Sequence, residues 1–439
     1  MADKPYRSSN KKGGIKAMML LLLFILLLLL GVPIAIAIAL STIVAIFQSG
    51  VPIVTLARSM FSGVDSFSLM AIPFFVFAGD LMLAGGTSKR LIDFTKKWVG
   101  WTTGGLPIAG VLSSMFFAAL SGSSPATVAA IGGIMIPSLK EARYSEKFSV
   151  GLMCASGSLG IIIPPSITFL VYGSVAEVSI GKLFIAGILP GIFIGLVLMV
   201  VGFVIAKKQG HKPDPRPTGK ELWSSSVSAI WGILMPLIVL GGIYFGVFTP
   251  TEAAAVAIVY SMIVGFFIYK ELTIKELFAV TKRSIITSAM IMFVISASKV
   301  FSWYLTYEQI PSTVAGKLLE YAATPFMFLI IVNIILLIVG MIMDSSAAVL
   351  ILVPLFLPVV LEMGIDPIHF GVIMIVNLAI GMLTPPFGLN LFVASGISKL
   401  SLAGVTRGTL PFILVLIAAL LVITYVPQIS LYLANNVYQ

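Results

Sequence analysis

"GSLGIIIPPSITF", residues 157–169, places two consecutive prolines inside an apolar run long enough to cross a membrane. Proline removes a backbone donor and clashes with the turn before it, so Pro164–Pro165 predicts a broken helix. In hydrocarbon, unpaired N–H and C=O groups cost several kcal/mol each, so such a break must be wrapped in protein or line a cavity. The stretch "GMLTPPFGLNLFVASG" at 381–396 repeats the feature at Pro385–Pro386.

Composition identifies the solvent around these breaks. The chain has 439 residues, of which 59% are hydrophobic and 10% charged. Soluble domains carry about a quarter charged residues, so this is an integral membrane protein. The net charge of +10 resides in short loops between apolar spans, where it reads as topology and not as a nucleic-acid surface. Cys154 is the only cysteine, which excludes a disulfide framework within the chain. The N-terminal stretch has the basic lead and A-x-A spacing of a signal peptide, but its apolar run continues to Phe47. Residues 18–47 are therefore expected to form the first transmembrane helix.

Further spans are expected at 69–86, 148–176, 182–206, 229–248, 250–270, 284–304, 367–397 and 405–426. Two more apolar stretches, 104–139 and 325–361, hold polar knots: "SGSSP" at 121–125 and "DSS" at 344–346. Folded as re-entrant hairpins, they would carry these knots at tips inside the protein. Charge placement agrees. With the tail bearing Lys4, Arg7, Lys11, Lys12 and Lys16 in the cytoplasm, the loops with Lys89, Arg90, Lys96 and Lys97 and with Lys140, Arg143 and Lys147 also fall inside. So do the linker at 207–220, the cluster Lys270, Lys275, Lys282 and Arg283, and Lys399 with Arg407. The positive-inside rule is met only if both stretches are hairpins, and it places the C-terminus in the periplasm.

Sliding residues 121–190 by 221 positions matches 14 of 70 residues without a gap, including four of the five prolines. Ser124 falls on Ser345, Gly160 on Gly381, and Pro164–Pro165 on Pro385–Pro386. The extra span at 229–248 starts the second half from the opposite face, so the repeats are inverted. The expected fold is an all-α integral membrane protein of two inverted repeats, each with a re-entrant hairpin and a broken transmembrane helix. A basic tail (1–17) precedes the first repeat, 18–206, with scaffold helices at 18–100, hairpin and broken helix at 104–178 and a span at 182–206. A linker at 207–224 leads to the second repeat, 225–426, with scaffold and arm at 225–322, hairpin and broken helix at 325–397 and a final span at 405–426. Residues 427–439 are a tail.

"SGSSPATVAAIGGIMIPSL" (121–139), "GSLGIIIPPSITFLVYG" (157–173), "GVFTPTEAAAVA" (246–257) and the 381–396 stretch resemble the large membrane subunit of TRAP (tripartite ATP-independent periplasmic) transporters. The resemblance covers nearly the whole chain from about residue 18. It implies an elevator-type, sodium-driven secondary transporter of the bacterial inner membrane. Such a transporter receives an organic acid from a periplasmic substrate-binding protein and works with a small four-helix membrane subunit, here expected as a separate polypeptide. Family members carry sialic acid, C4-dicarboxylates and other carboxylate solutes, and the first two are the expected cargo.

The residue chemistry can be read beside that resemblance. Sodium is a hard cation and takes oxygen ligands. The first tip offers Ser121, Gly122, Ser123 and Ser124 against a break containing Gly157, Gly160 and Pro164. The second offers Asp344, Ser345 and Ser346 against Gly381 to Pro385, with Thr384 as a hydroxyl. Asp344 stands out, because an acid within apolar sequence is costly and marks function. It aligns with Ser123, so the two ion sites need not be equivalent. Substrate candidates are Ser123, Ser124, Pro165, Ser166, Thr168, Asn377, Pro386 and Asn390. Half-helix N-termini after each proline pair would favour a carboxylate. Each serine or asparagine taken singly can equally serve helix packing.

Arg58 reads as interfacial, and Glu252 and Asp80 as structural, Asp80 with Lys299 as its partner. "SKRLIDFTKKW" and "KELTIKELFAVTKRS" read as amphipathic helices on the cytoplasmic face, candidate arms for a moving body. An ATP-driven pump lacks its G-x-x-x-x-G-K-[ST] motif here. An intramembrane protease lacks a partner for Asp344, with His211 in the linker and His369 beside a loop. A passive organic-anion channel is the remaining rival, disfavoured because filters sit on axes between subunits whereas these sites lie in two unlike halves of one chain.

Overall fold

The computed structural model describes residues 19–20, 22–209, 211, 215–322 and 324–437. The tail 1–17 and linker residues 210 and 212–214 lie outside that set. All regular structure among the described residues is helical, and nine helices there are long and apolar enough to span a membrane.

The broken-helix units recur in the same order. Gly105–Ser121 rises to a turn at Gly122, whose φ of +58° suits a residue without Cβ, and the chain returns through 124–141. One π turn, Val128–Gly132, interrupts that return. Then follow Glu146–Gly157, Leu159–Ile162, a cis Pro164–Pro165 bond, Ile167–Ala176 and the long Ile180–Lys208. The later unit runs Pro325–Ile342, Ser345–Glu362, Pro367–Gly381, a cis Pro385–Pro386 bond, Leu389–Ser398 and Leu402–Tyr425.

The two hairpins open to opposite faces. Lys96 donates to Ser138 at the base of the first hairpin (2.9 Å), and Lys97 pairs with Glu221 (2.9 Å). Arg90 pairs with Glu271 (2.7 Å) and Arg283 with Asp80 (3.2 Å), so these groups share one basic face. Ile274–Tyr307 starts at that face and, with 34 residues, ends about 50 Å away. There Tyr304 and Glu308 meet Ser49. The second hairpin begins at the far end of Leu402–Tyr425, where Phe326 stacks on Tyr425 (4.5 Å) and its carbonyl accepts from the tyrosine hydroxyl. Leu402–Tyr425 starts near the basic face, with Gly408 against the Lys147 backbone.

Ile34–Ser49, Ile53–Val64, Phe67–Ala84, Gly219–Tyr244, Pro250–Ile268 and Ile274–Tyr307 frame these units. Three of their starts are set by Thr-x-x-Glu capping boxes, at Thr218/Glu221, Thr249/Glu252 and Thr273/Glu276. Glu252 thus has a structural task.

Four expectations need correction. The first span is not one helix over 18–47: residues 22–29 are helical, and the chain restarts at Ile34 after Gly31 (φ +79°) and Pro33, whose ring cannot follow an uninterrupted turn. The "KELTIKELFAVTKRS" arm (270–284) and the 284–304 span are not two helices: from Ile274 they form one, Ile274–Tyr307, because no proline or glycine separates them. The segment after Val426 is no plain tail, since Gln428–Val437 is a helix whose Ile429, Leu433 and Val437 pack on the core at four-residue spacing. Asp80 bonds Arg283 and the Ser284 hydroxyl (2.6 Å), not Lys299, because Arg283 and Ser284 lie on the same basic face.

Candidate functional site

Each tip rests on a break. Ile167 N–H donates to the Gly122 carbonyl (3.4 Å), and a Cβ on Gly160 would collide with the Ser123 carbonyl. Small residues here let backbone approach backbone, as membrane helix contacts require. At the second tip, Gly340 and Gly381 stand Cα against Cα, and the Phe387 and Gly388 N–H groups both donate to the Met341 carbonyl (3.2 Å each).

The halves are also locked to one another. Asn390 Nδ2 donates to Ser124 Oγ at 2.7 Å, and the Thr168 and Ser345 hydroxyls meet at 3.2 Å. Ser124 and Ser345 are the equivalent serines of the two tips. Each is therefore held by the first turn after the other unit's proline pair. All four side chains are buried.

Between the tips lies a cavity of about 480 Å³. Gly122, Ser123, Thr168, Asp344, Ser345 and Ser346 line it on one side. Ile34, Thr287, Met290, Ile291 and Val294 line it on the other. Ile167–Ala176, Leu389–Ser398 and Ser345–Glu362 all begin at the cavity wall, which brings three helix N-termini toward one space. Each such terminus carries roughly half a positive charge, which favours an anion. Asp344 caps the third, accepting from Ser346 N–H at 2.9 Å. Its carboxylate, with the adjacent hydroxyls and carbonyls, is an all-oxygen donor set of the kind hard monovalent and divalent cations take. Among the described residues no cluster of His, Cys, Asp and Glu suits a transition metal.

The other predicted residues fall in several places. Ser121 Oγ meets Thr127 Oγ1 (3.1 Å), which in turn donates to the Ser123 carbonyl (2.8 Å). Ser166 is buried and caps the half-helix after the break, with its hydroxyl donating to Ile161 O (2.7 Å). Pro164 and Pro165 are buried under the first tip, and Gly157 packs against Val128. Thr384 turns back onto the Ile380 carbonyl (2.9 Å), while Pro386 is exposed beside the cavity residue Leu389 without lining the space itself. Asn377 lies elsewhere, fully buried and donating to Asn333 Oδ1 (2.7 Å) and Ile373 O. Asn333 continues to Thr424, whose carbonyl meets His369 Nε2 (3.2 Å). His369 lies beside a loop, as expected, in the first turn of Pro367–Gly381, and is also part of this buried polar chain. Arg58 is exposed and away from the cavity.

Two residues escaped the sequence reading. Thr127 pairs with Ala348 in the repeat, so no symmetry pointed to it. Thr287 is the single polar residue of the far wall, set in a helix with no marked apolar face to reveal which side it occupies.

Comparison with known proteins gives a consistent picture. The family described as "Tripartite ATP-independent periplasmic transporter, DctM component" matches residues 21–429. The C4-dicarboxylate TRAP transporter large permease protein DctM of Pseudomonas aeruginosa is 48% identical over 381 residues, spanning 87% of this chain and 89% of that protein. The sialic acid TRAP transporter large permease protein SiaM of Vibrio cholerae is 38% identical over 377 residues, spanning 86% and 88%. Among solved structures, the YdaH transporter of Alcanivorax borkumensis shares the fold with a TM-score of 0.60 at 15% identity, over 84% of this chain and 86% of that one.

Proposed function

The chain belongs to the DctM-component family of tripartite ATP-independent periplasmic transporters, and from that premise we propose that it imports a small organic acid anion with sodium by an elevator motion. The observation that carries the reading is the cavity between the two tips. It joins an acid-bearing oxygen set at Asp344, Ser345 and Ser346 to three converging helix N-termini. Sodium beside Asp344 neutralises the carboxylate and leaves the positive helix ends to hold the solute's own carboxylate. The far wall favours sliding. It is apolar apart from Thr287, and among the described residues no side-chain hydrogen bond ties either tip to it.

A C4-dicarboxylate fits better than sialic acid, since the relative named for the former is 48% identical and that named for the latter 38%. The working assembly adds a small four-helix membrane subunit and a periplasmic binding protein. It sits in the inner membrane, with the basic face and N-terminus in the cytoplasm and the C-terminus in the periplasm.

The test is uptake of radiolabelled succinate into proteoliposomes holding the chain and its small subunit, fed by candidate binding proteins. Uptake is expected under an inward sodium gradient without ATP. Uptake that continues when potassium replaces sodium on both sides rejects the coupling and leaves a passive route.

A further inference from the structure

A second cavity, of about 220 Å³, lies along the same long helix, nearer its Tyr307 end. Thr287, Met290, Ile291 and Val294 face the tip cavity, whereas Ile295, Ser298, Lys299 and Ser302 face this one. Corresponding members of the two sets are offset by eight residues, a rise of about 12 Å. The opposite wall is Ser174 with Leu350 and Pro354, from the first broken helix and the second hairpin.

Three observations mark it as more than a packing gap. Lys299, an exposed residue, lines its open side and, among the described residues, has no ion-pair partner. The hydroxyls of Ser298, which is 1% exposed, and of Ser174 are buried without a hydrogen-bond partner. Gly63 makes room for the lysine stem: a Cβ there would lie 2.6 Å from Lys299 Cβ. A buried hydroxyl left unpaired is costly, so two of them beside an ammonium at the open side describe a chamber short of one acceptor-rich ligand. Its volume is below the roughly 300 Å³ of drug-sized sites, which limits that ligand to a few carbons. Glu177 borders a neighbouring pocket that shares Ser66 and Ser174 with the chamber, so the positive charge within it comes from Lys299 alone among its lining residues.

We infer that this chamber is an anion-binding station, where the carboxylate or sulfonate of a small soluble organic acid rests on Lys299, Ser298 and Ser174. The identity of that acid as cargo rests on the function proposed above; the chamber's charge preference does not. A body sliding by about 12 Å along the long helix would carry the second tip toward the Ser298–Ser302 wall. The chamber then lies on the solute's path between the outer face and the tips.

The test uses the full chain with its small subunit, carrying Cys154→Ala and Ser302→Cys. Labelling rates are compared for an anionic sulfonatoethyl and a cationic trimethylammonioethyl methanethiosulfonate, against a cysteine in an exposed loop. The expected result is an anion preference about tenfold above the loop value, lost in Lys299→Gln and kept in Lys299→Arg. Succinate should slow labelling only where the positive charge remains. Equal rates for both reagents, or a preference indifferent to Lys299→Gln, overturn the inference. Protection by phosphatidylglycerol in mixed vesicles, with none by succinate, assigns the charge to a lipid headgroup and also overturns it. Sodium-driven uptake measured on the same variants separates the two readings. Uptake intact without the charge preference rejects the station alone, and the preference without sodium dependence rejects the coupling alone.

Discussion

Pro164–Pro165 and Pro385–Pro386 hold matching positions, are both cis, and differ in their surroundings: the first pair is buried, whereas the second and the following Phe387 are exposed. The difference is one of register. The first break bonds to its hairpin at Gly122, the tip itself, through Ile167 N–H. The residue equivalent to Ile167 is Gly388, and it bonds to Met341, two residues short of Met343, the equivalent of Gly122. The second tip therefore overshoots its break. Asp344, Ser345 and Ser346 are carried into the cavity, and the prolines behind them stay uncovered. A repeated proline pair sets where a helix stops; the register of its contact with the hairpin decides whether that stop is sealed.

The sharpest way to break the comparison is to ask from which side each tip is reached. With Cys154→Ala as background, Ser123→Cys and Ser346→Cys should each react with impermeant thiol reagent from both faces, with sodium and succinate changing the rates. Labelling of the first tip only from the basic face, and of the second only from the other, would reject the moving body. Next in size is the unequal charge of the tips. Asp344→Asn should raise the sodium needed for half-maximal uptake by about tenfold or more, and Ser123→Ala by about twofold, since a full charge outweighs a hydroxyl dipole in a low-dielectric site. Equal shifts would show that the aligned positions do the same job.

Register itself can be probed by filling the close contacts. Gly160→Ala drives a methyl into the Ser123 carbonyl of the sealed tip and should cost about 1–3 kcal/mol, read as a lowered thermal midpoint. Gly396→Ala, in a helix with nothing within 4 Å of the added methyl, should leave the midpoint unchanged or slightly raised, alanine being the better helix former. A comparable loss there would mean that the midpoint responds to any added methyl and does not report the tip contact. The smallest effect belongs to the cross-lock. A double-mutant cycle on Ser124→Ala and Asn390→Ala should return a coupling of about 1 kcal/mol, and the longer Thr168–Ser345 contact less. A larger coupling at Thr168–Ser345 would reverse the order of the two halves.

Much of this was legible because proline and charge act locally. The two proline pairs, the polar tips and the basic loops each restrict the chain within a few residues, and the hairpins follow from them. What distant parts of the chain supply was not legible. Asn377 was expected at the cavity, yet its amide N–H groups are taken up elsewhere, by the Asn333 side chain and the Ile373 carbonyl. Asp80 had Arg283 within reach on its own face, a fact that alignment of the repeats does not contain. Gly31 and Pro33 were legible in principle, since that pair stops a helix wherever it stands, but the apolar run around them masked the stop.

The cross-lock also sets a timetable for biosynthesis. Asn390 lies 266 residues after Ser124, and Ser345 lies 177 after Thr168. At about 5–20 residues per second, a ribosome delivers Asn390 roughly 13–50 s after Ser124 has been made. Through that interval the newborn first half sits in the bilayer with the floor of its site unfinished, its serine and threonine hydroxyls facing no partner. A chain halted in the linker would keep that defect permanently, exposed to the proteases that police the membrane, whereas a completed chain closes both halves in one late step.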